Sequence, residues 1–125
     1  MLKRKYNSSG VEVSFEGIMK HAFEGIKVIE LGGYIVGSLC ASLLADLGAE
    51  VIKVESLQGD GLRGLLGGFQ GWNRGKRGLA LDLYTDEGKA ILHQLTRQSD
   101  VLVQNLRTGV SERWDADYAT LSRIN

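Results

Sequence analysis

The sequence contains no proline and a single cysteine, Cys40. One cysteine excludes an intramolecular disulfide and every multi-cysteine metal site, and it is compatible with a reducing compartment. Net charge is lacking as well, because fifteen Lys and Arg balance fifteen Asp and Glu. No global field therefore recruits nucleic acid or an anionic membrane, and any anion site has to come from local clustering. No apolar run reaches spanning length, and residues 1–9 are charged and polar without the apolar segment of a secretory signal. The cytosol is the expected compartment, with no nucleic-acid or membrane partner. Neither histidine, His21 or His93, has a cysteine or carboxylate at ligand spacing, so no metal is expected.

Glycine, by contrast, is abundant, and it punctuates a regular grammar. Residues 27–31 form a short β-branched run, Gly32-Gly33 permit a sharp turn, and Leu39, Leu43, Leu44 and Leu47 recur at helical spacing. Ala41, Ser42 and Ala45 are small enough to let that helix pack closely on a sheet, and Gly48 supplies its stop. Residues 50–55 give a second apolar strand, whose parallel return through a crossover helix should be right-handed. The pattern repeats with a strand at 78–83, a helix at 85–98 and a strand at 100–104. Thr85 can cap that helix, Asp86 and Glu87 suit its N-terminal dipole, Ile91, Leu92 and Leu95 form its stripe, and Gly88 weakens it. One or two short helical pieces are expected between residues 110 and 123. Two such units imply one α/β domain with an open sheet, long enough to bury roughly two thirds of its unfolded surface.

Two segments lack a clear period. Residues 1–22 are expected to form an N-terminal extension with freedom to move, although Val11, Val13 and Phe15 alternate like a short strand. Residues 56–75 hold seven glycines and exceed an ordinary βα loop, so they read as a flexible connection.

Three clusters can carry chemistry, and each has a plainer alternative. The turn 32–37 opens a helix, where backbone N–H groups can receive phosphate or a carbonyl oxygen; alternatively its glycines only permit close packing. Asn73-Arg74-Gly75-Lys76-Arg77 places three cations before a strand, which suits phosphate, or else forms a solvated basic loop balanced by acids. Asn105-Leu106-Arg107 and Arg113 follow a strand, at the carboxyl edge where ligands of open parallel sheets sit; Arg113 can instead pair with Glu112 or Asp117. Cys40 is expected as a small buried thiol inside the first helix. Trp114 reads as a packing anchor and Trp72 as an outside candidate for an adenine contact. Glu55 ends a strand where an acid can bind an NAD ribose, but Gly32, Gly33 and Gly37 do not reproduce the dinucleotide fingerprint.

The strings FEGIKVIELG, LLADLGAEVIKVE, GWNRGKRGLALDL, DEGKAILHQL and SDVLVQNLRTGVSERW, in this order, resemble the N-terminal segment of the family III CoA-transferases. That group includes formyl-CoA and carnitine CoA-transferases and α-methylacyl-CoA racemase. The resemblance runs over residues 23–125. It implies a Rossmann-like, open, mainly parallel sheet with flanking helices, a partial large domain of a longer polypeptide whose relatives form interlocked dimers. It also implies CoA or acyl-CoA as substrate, with no prosthetic group. Ile35, Val36, Leu81, Asn105, Leu106, Arg107 and Arg113 match family positions that contact CoA. Ser56 stands where some relatives have arginine, Tyr84 where a lysine or arginine often follows the strand, and Ser38 and Thr108 replace prolines. The aspartate that attacks the thioester in transferase members lies downstream of this segment, so no catalytic residue is assigned and these residues alone are expected to be inactive. A homodimer, or association with a polypeptide carrying the remaining domain, is expected. Two other roles stay open: a non-catalytic CoA-binding or assembly module, and a segment of a racemase-like enzyme.

Overall fold

A computed structural model describes residues 5–6, 12–13, 21–65 and 67–125. Two short strands, β1 (Lys5–Tyr6) and β2 (Glu12–Val13), pair antiparallel with Lys5 opposite Val13. Val13 thus lies in a strand, whereas Val11 and Phe15 of the expected alternation, like most of the 1–22 extension, lie outside the described residues.

The principal sheet has four strands: β3 (Lys27–Glu30), β4 (Glu50–Glu55), β5 (Lys76–Ala80) and β6 (Val101–Val103), in the order β5-β4-β3-β6 and all parallel. The helix α1 (Val36–Asp46) joins β3 to β4, and α3 (Asp86–Thr96) joins β5 to β6. A 3-10 turn (Gly61–Gly64) and α2 (Gly68–Asn73) lie between β4 and β5, and α4 (Val110–Arg113) and α5 (Tyr118–Leu121) follow β6. The chain steps outward from β3 to β5 and then returns to the other side of β3. The strand order therefore reverses between β3 and β6, and the crevice at such a reversal is where open α/β sheets take ligands.

Alternation along β3 feeds two cores. Val28 packs with Ala41, Ala49 and Val51 under α1, while Ile29 and Leu31 join Val54, Leu81, Leu83, Leu92 and Leu121 on the opposite face. Each of the larger aliphatic side chains buried there contributes about 1.5–3 kcal/mol. The α3 prediction holds closely: Thr85 Oγ1 accepts the Gly88 N–H at 3.1 Å, with Asp86 and Glu87 in the first turn. Gly88 itself is not a weakness. A Cβ there would stand 2.0 Å from the Asp82 carbonyl oxygen, so glycine is what lets α3 start against that backbone.

Four expectations need correction. The buried face of α1 is Gly37, Ser38, Ala41 and Ser42, whereas Leu43 and Leu47 are about half exposed, at 51% and 46%. The leucine spacing identified the helix but not its inner face; Ala41 and Ser42 take that side, as expected of residues small enough to pack closely on the sheet. Cys40 is correspondingly exposed. The strand expected at 78–83 begins at Lys76, whose pairing with Val51 sets the register, and ends at Ala80. The connection 56–75 is not a featureless loop. It carries the 3-10 turn and α2, with the Arg63 guanidinium 3.9 Å over the Phe69 ring.

Candidate functional site

A cleft of about 450 Å³ opens at the carboxyl ends of the strands, lined by residues 31–34, 54–61 and 81–84 with Leu106 and Trp114. Each stretch is the chain leaving β3, β4 or β5, so the parallel sheet itself aims them at one crevice. Leu31, Val54, Leu81 and Leu83 form a buried apolar wall. Tyr34 and Tyr84 stand at its mouth, 66% and 68% exposed, and Tyr84 meets Trp114 edge to face at 5.9 Å. The indole Nε1 of Trp114 is buried without an acceptor among the described residues.

The turn after β3 is held in an unusual way. Its left-handed residue is Tyr34, at φ 57°, and not a glycine. Gly32 and Gly37 serve close approach instead: a Cβ on Gly37 would lie 2.7 Å from Asn105 Oδ1 and 2.9 Å from the Gly32 Cα. Asn105 then clasps the turn, its Oδ1 accepting the Gly33 N–H at 3.0 Å and its Nδ2 donating to the Gly33 carbonyl at 3.1 Å. This clasp joins the ends of β3 and β6 at the reversal point. The packing alternative thus accounts for Gly32 and Gly37, and the Gly33 N–H is already engaged.

Beneath the turn lies a buried charged network. Glu30, fully buried in β3, accepts from Lys53 Nζ at 2.7 Å on Oε1 and from Lys76 Nζ at 2.6 Å on Oε2. Ser38 Oγ also donates to Glu30 Oε1, at 2.9 Å. Lys53 continues to the Gly32 carbonyl at 2.8 Å and to Asp60 Oδ2 at 2.9 Å. That Asp60 oxygen receives no well-directed hydrogen bond and is held by charge. Lys76 also donates to the carbonyls of Ser38 and Trp72 and to Asn73 Oδ1. Burial pushes the Lys76 ammonium below its ordinary value, with the Glu30 hydrogen bond and charge opposing.

A second pair extends the network to the cleft floor. Arg63 donates to both oxygens of Glu55 at 2.7 Å, and Glu55 Oε2 accepts the Asp60 N–H at 2.9 Å. Burial raises the Glu55 carboxyl, but the bonds from Arg63 and the Asp60 N–H, with the charges of Arg63 and Lys53, hold it below its ordinary value. Burial raises Asp60 too, and there the Leu62 N–H, Lys53 and the Tyr34 N–H outweigh it. Asp60 thus ties the loop after β4 to the turn after β3.

The residues singled out from sequence separate into three groups. Leu81, buried, and Leu106, partly buried, line the cleft. Asn105 lies beside it, through the clasp on Gly33. Ile35 and Val36, 47% and 72% exposed, begin α1 outside the lining, and exposed Arg107 and Arg113 adjoin the lining residues Leu106 and Trp114 in sequence. Neither arginine forms an ion pair among the described residues; Ser111, and not Arg113, bonds Glu112.

The basic cluster at 73–77 is no open phosphate site: Arg74 pairs with Asp46, Arg77 with Glu50, and Lys76 is buried on Glu30. Trp72 does not line the cleft, and Glu55, the candidate ribose acid, is taken by Arg63. Sequence reasoning missed Tyr34, Lys53, Asp60 and the cleft role of Trp114. A lysine and a glutamate at inward positions of adjacent buried strands, Lys53 and Glu30, were the available signal.

CoA-transferase family III matches residues 23–125. The chain belongs to this family. Succinyl-CoA:mesaconate CoA-transferase of Haloarcula hispanica is 40% identical over 116 residues, which cover 83% of this chain and 29% of that protein. Alpha-methylacyl-CoA racemase of Homo sapiens is 40% identical over 104 residues, 83% of this chain and 26% of that protein. A CAIB/BAIF family protein from Brucella suis superposes with a TM-score of 0.80 at 34% identity, over 86% of this chain and 32% of that one. This family III segment therefore spans less than a third of the length of these relatives. No helix among its described residues is long and apolar enough to cross a membrane, and no group of three or more His, Cys, Asp or Glu among them can hold a metal ion.

Proposed function

We propose that this segment is the N-terminal CoA-binding portion of a family III CoA-transferase, whose complete form moves CoA from an acyl-CoA to a carboxylic acid. The observation that supports this reading is the cleft at the strand-order reversal, with a buried apolar wall and flanked in sequence by Arg107 and Arg113, which form no ion pair among the described residues. CoA needs that combination, because it joins anionic phosphates to adenine and an amide-bearing arm. Ile35, Val36, Leu81, Asn105, Leu106, Arg107 and Arg113 are the proposed contacts.

In the complete enzyme, a downstream aspartate attacks the thioester carbonyl and CoA leaves as thiolate. The thiolate then attacks the resulting anhydride, releasing the donor acid and leaving CoA on the enzyme. The 125 residues by themselves are proposed to bind without turnover. Of the three carboxylates that line the cleft, Glu55 and Asp60 are tied to Arg63 and Lys53 and are poor nucleophiles for that reason. Equal identity to a racemase keeps a racemase-like whole protein as a second reading. A non-catalytic CoA-binding or assembly module is the third, and co-purification of a partner that restores activity would favour it. Dimerisation, or association with the remaining domain, in the cytoplasm completes the proposal; half-exposed Leu43 on α1 and Leu47 at its C-cap offer apolar surface for it. A monodisperse monomer at high concentration would count against that part.

The test is calorimetric titration of the purified chain with CoA and acetyl-CoA, beside an Arg107→Ala/Arg113→Ala variant. Each charge-assisted bond lost removes about 1.5–3 kcal/mol, so saturable binding should weaken at least about tenfold. Absence of binding, or equal affinity in the variant, would overturn the assignment.

A further inference from the structure

From the Gly32 carbonyl to the Tyr34 N–H, the turn after β3 is held by side chains that arrive from other parts of the chain. Lys53 Nζ, on β4, donates to the Gly32 carbonyl at 2.8 Å. Asn105, just beyond β6, accepts the Gly33 N–H at 3.0 Å and donates to the Gly33 carbonyl at 3.1 Å, and the Tyr34 N–H faces the Asp60 carboxylate. Those backbone groups are already engaged. What this stretch of the turn offers the cleft is therefore the ring of Tyr34, which lines it.

Tyr34 sits at φ 57°, in the left-handed region that side chains other than asparagine and aspartate seldom adopt, because Cβ there crowds the following carbonyl oxygen. Its ring lies against Gly61, where a Cβ would stand 3.1 Å from the tyrosine Oη and 3.2 Å from Cζ, so the loop after β4 leaves room for it. Burial offsets little of the backbone cost, since Tyr34 stays 66% exposed. Nothing in the turn itself calls for an aromatic residue. Strained residues persist where their surroundings over-determine them, and they gather at ligand clamps.

We infer that Tyr34 is a specificity-determining contact of the cleft, its ring held between the clasped turn and Gly61 so that an uncharged part of CoA packs against it. The inference rests on the CoA reading above. A ring already fixed in place gives up little conformational freedom when a ligand covers it, and its apolar face gains from being covered. The left-handed backbone thus serves binding and not folding.

Two variants separate those roles, each followed by calorimetric titration with CoA and by thermal unfolding. Tyr34→Asn removes the ring and keeps a residue suited to the left-handed backbone, whereas Tyr34→Phe removes only the hydroxyl. The asparagine variant should bind CoA at least about fivefold more weakly than the native chain, with an unfolding midpoint within about 3 °C of it. The phenylalanine variant should bind within about twofold of the native chain. Native affinity in Tyr34→Asn, a larger fall in its midpoint, or a Tyr34→Phe variant as weak as Tyr34→Asn would overturn this inference and leave the CoA reading intact. Failure of the native chain to bind CoA would overturn the CoA reading and this inference with it.

Discussion

Replacing Glu30 by glutamine removes one negative charge from a site where it faces two ammonium groups. Its oxygens receive Lys53 at 2.7 Å and Lys76 at 2.6 Å, and the side chain is inaccessible to solvent. Glutamine keeps one acceptor oxygen, but its amide nitrogen would point a donor at one of the two lysines, which are themselves only 2% exposed at the side chain. Lys53 retains Asp60, whereas Lys76 keeps only neutral acceptors. Breaking a buried pair from one side costs about 3–5 kcal/mol, because the remaining charge stays buried. For a domain of this size that corresponds to a fall of roughly 10–20 °C in the unfolding midpoint. Thermal unfolding followed by circular dichroism at neutral pH measures it. A second arm compares Lys76→Met in the native and the Glu30→Gln backgrounds, where the lysine substitution should be less harmful once its carboxylate is gone. A loss below about 1 kcal/mol, or an equal cost of Lys76→Met in both backgrounds, would refute the claim that this network carries uncompensated buried charge when broken.

Further substitutions probe the other junctions. Gly88→Ala should lower stability by about 1–3 kcal/mol, since its Cβ would meet the Asp82 carbonyl; an unchanged urea midpoint would show that α3 does not start against that backbone. Because Glu55 and Asp60 titrate below their ordinary values, the stability they contribute is present above those values and drains away as pH falls through them into the lower folded range. The midpoint should therefore decline steeply below about pH 4.5, and Asp60→Asn should flatten that decline; parallel profiles for the two proteins would contradict it.

Much of the fold was legible because it is written in local pattern. The α3 helix declares itself through Thr85, Asp86 and Glu87 at one end and an apolar stripe through its length, and the structure returns it almost unshifted. The strand at 50–55 and the pair of short helices after residue 110 were readable for the same reason. The glycine turn was recognisable as a turn, but its working parts were not. Which residue is left-handed, and which glycine is crowded, depends on Asn105 arriving from β6, seventy-two residues after Gly33.

The charged residues show the same division. Read along the chain, Arg74, Lys76 and Arg77 form a basic run suited to an anion. In space, Lys76 turns inward to Glu30 while Arg74 and Arg77 meet Asp46 and Glu50, so the run is divided among three carboxylates from α1, β3 and β4. No periodicity predicts such pairings, because side chains on neighbouring strands and their crossover helix meet only after the register is set. Periodicity and turn chemistry, which act over a few residues, determined the βαβ grammar and with it the carboxyl edge, where open parallel sheets take ligands. Burial and charge pairing, which act between distant segments, decided which residues face the cleft and which cations stand outside any ion pair among the described residues.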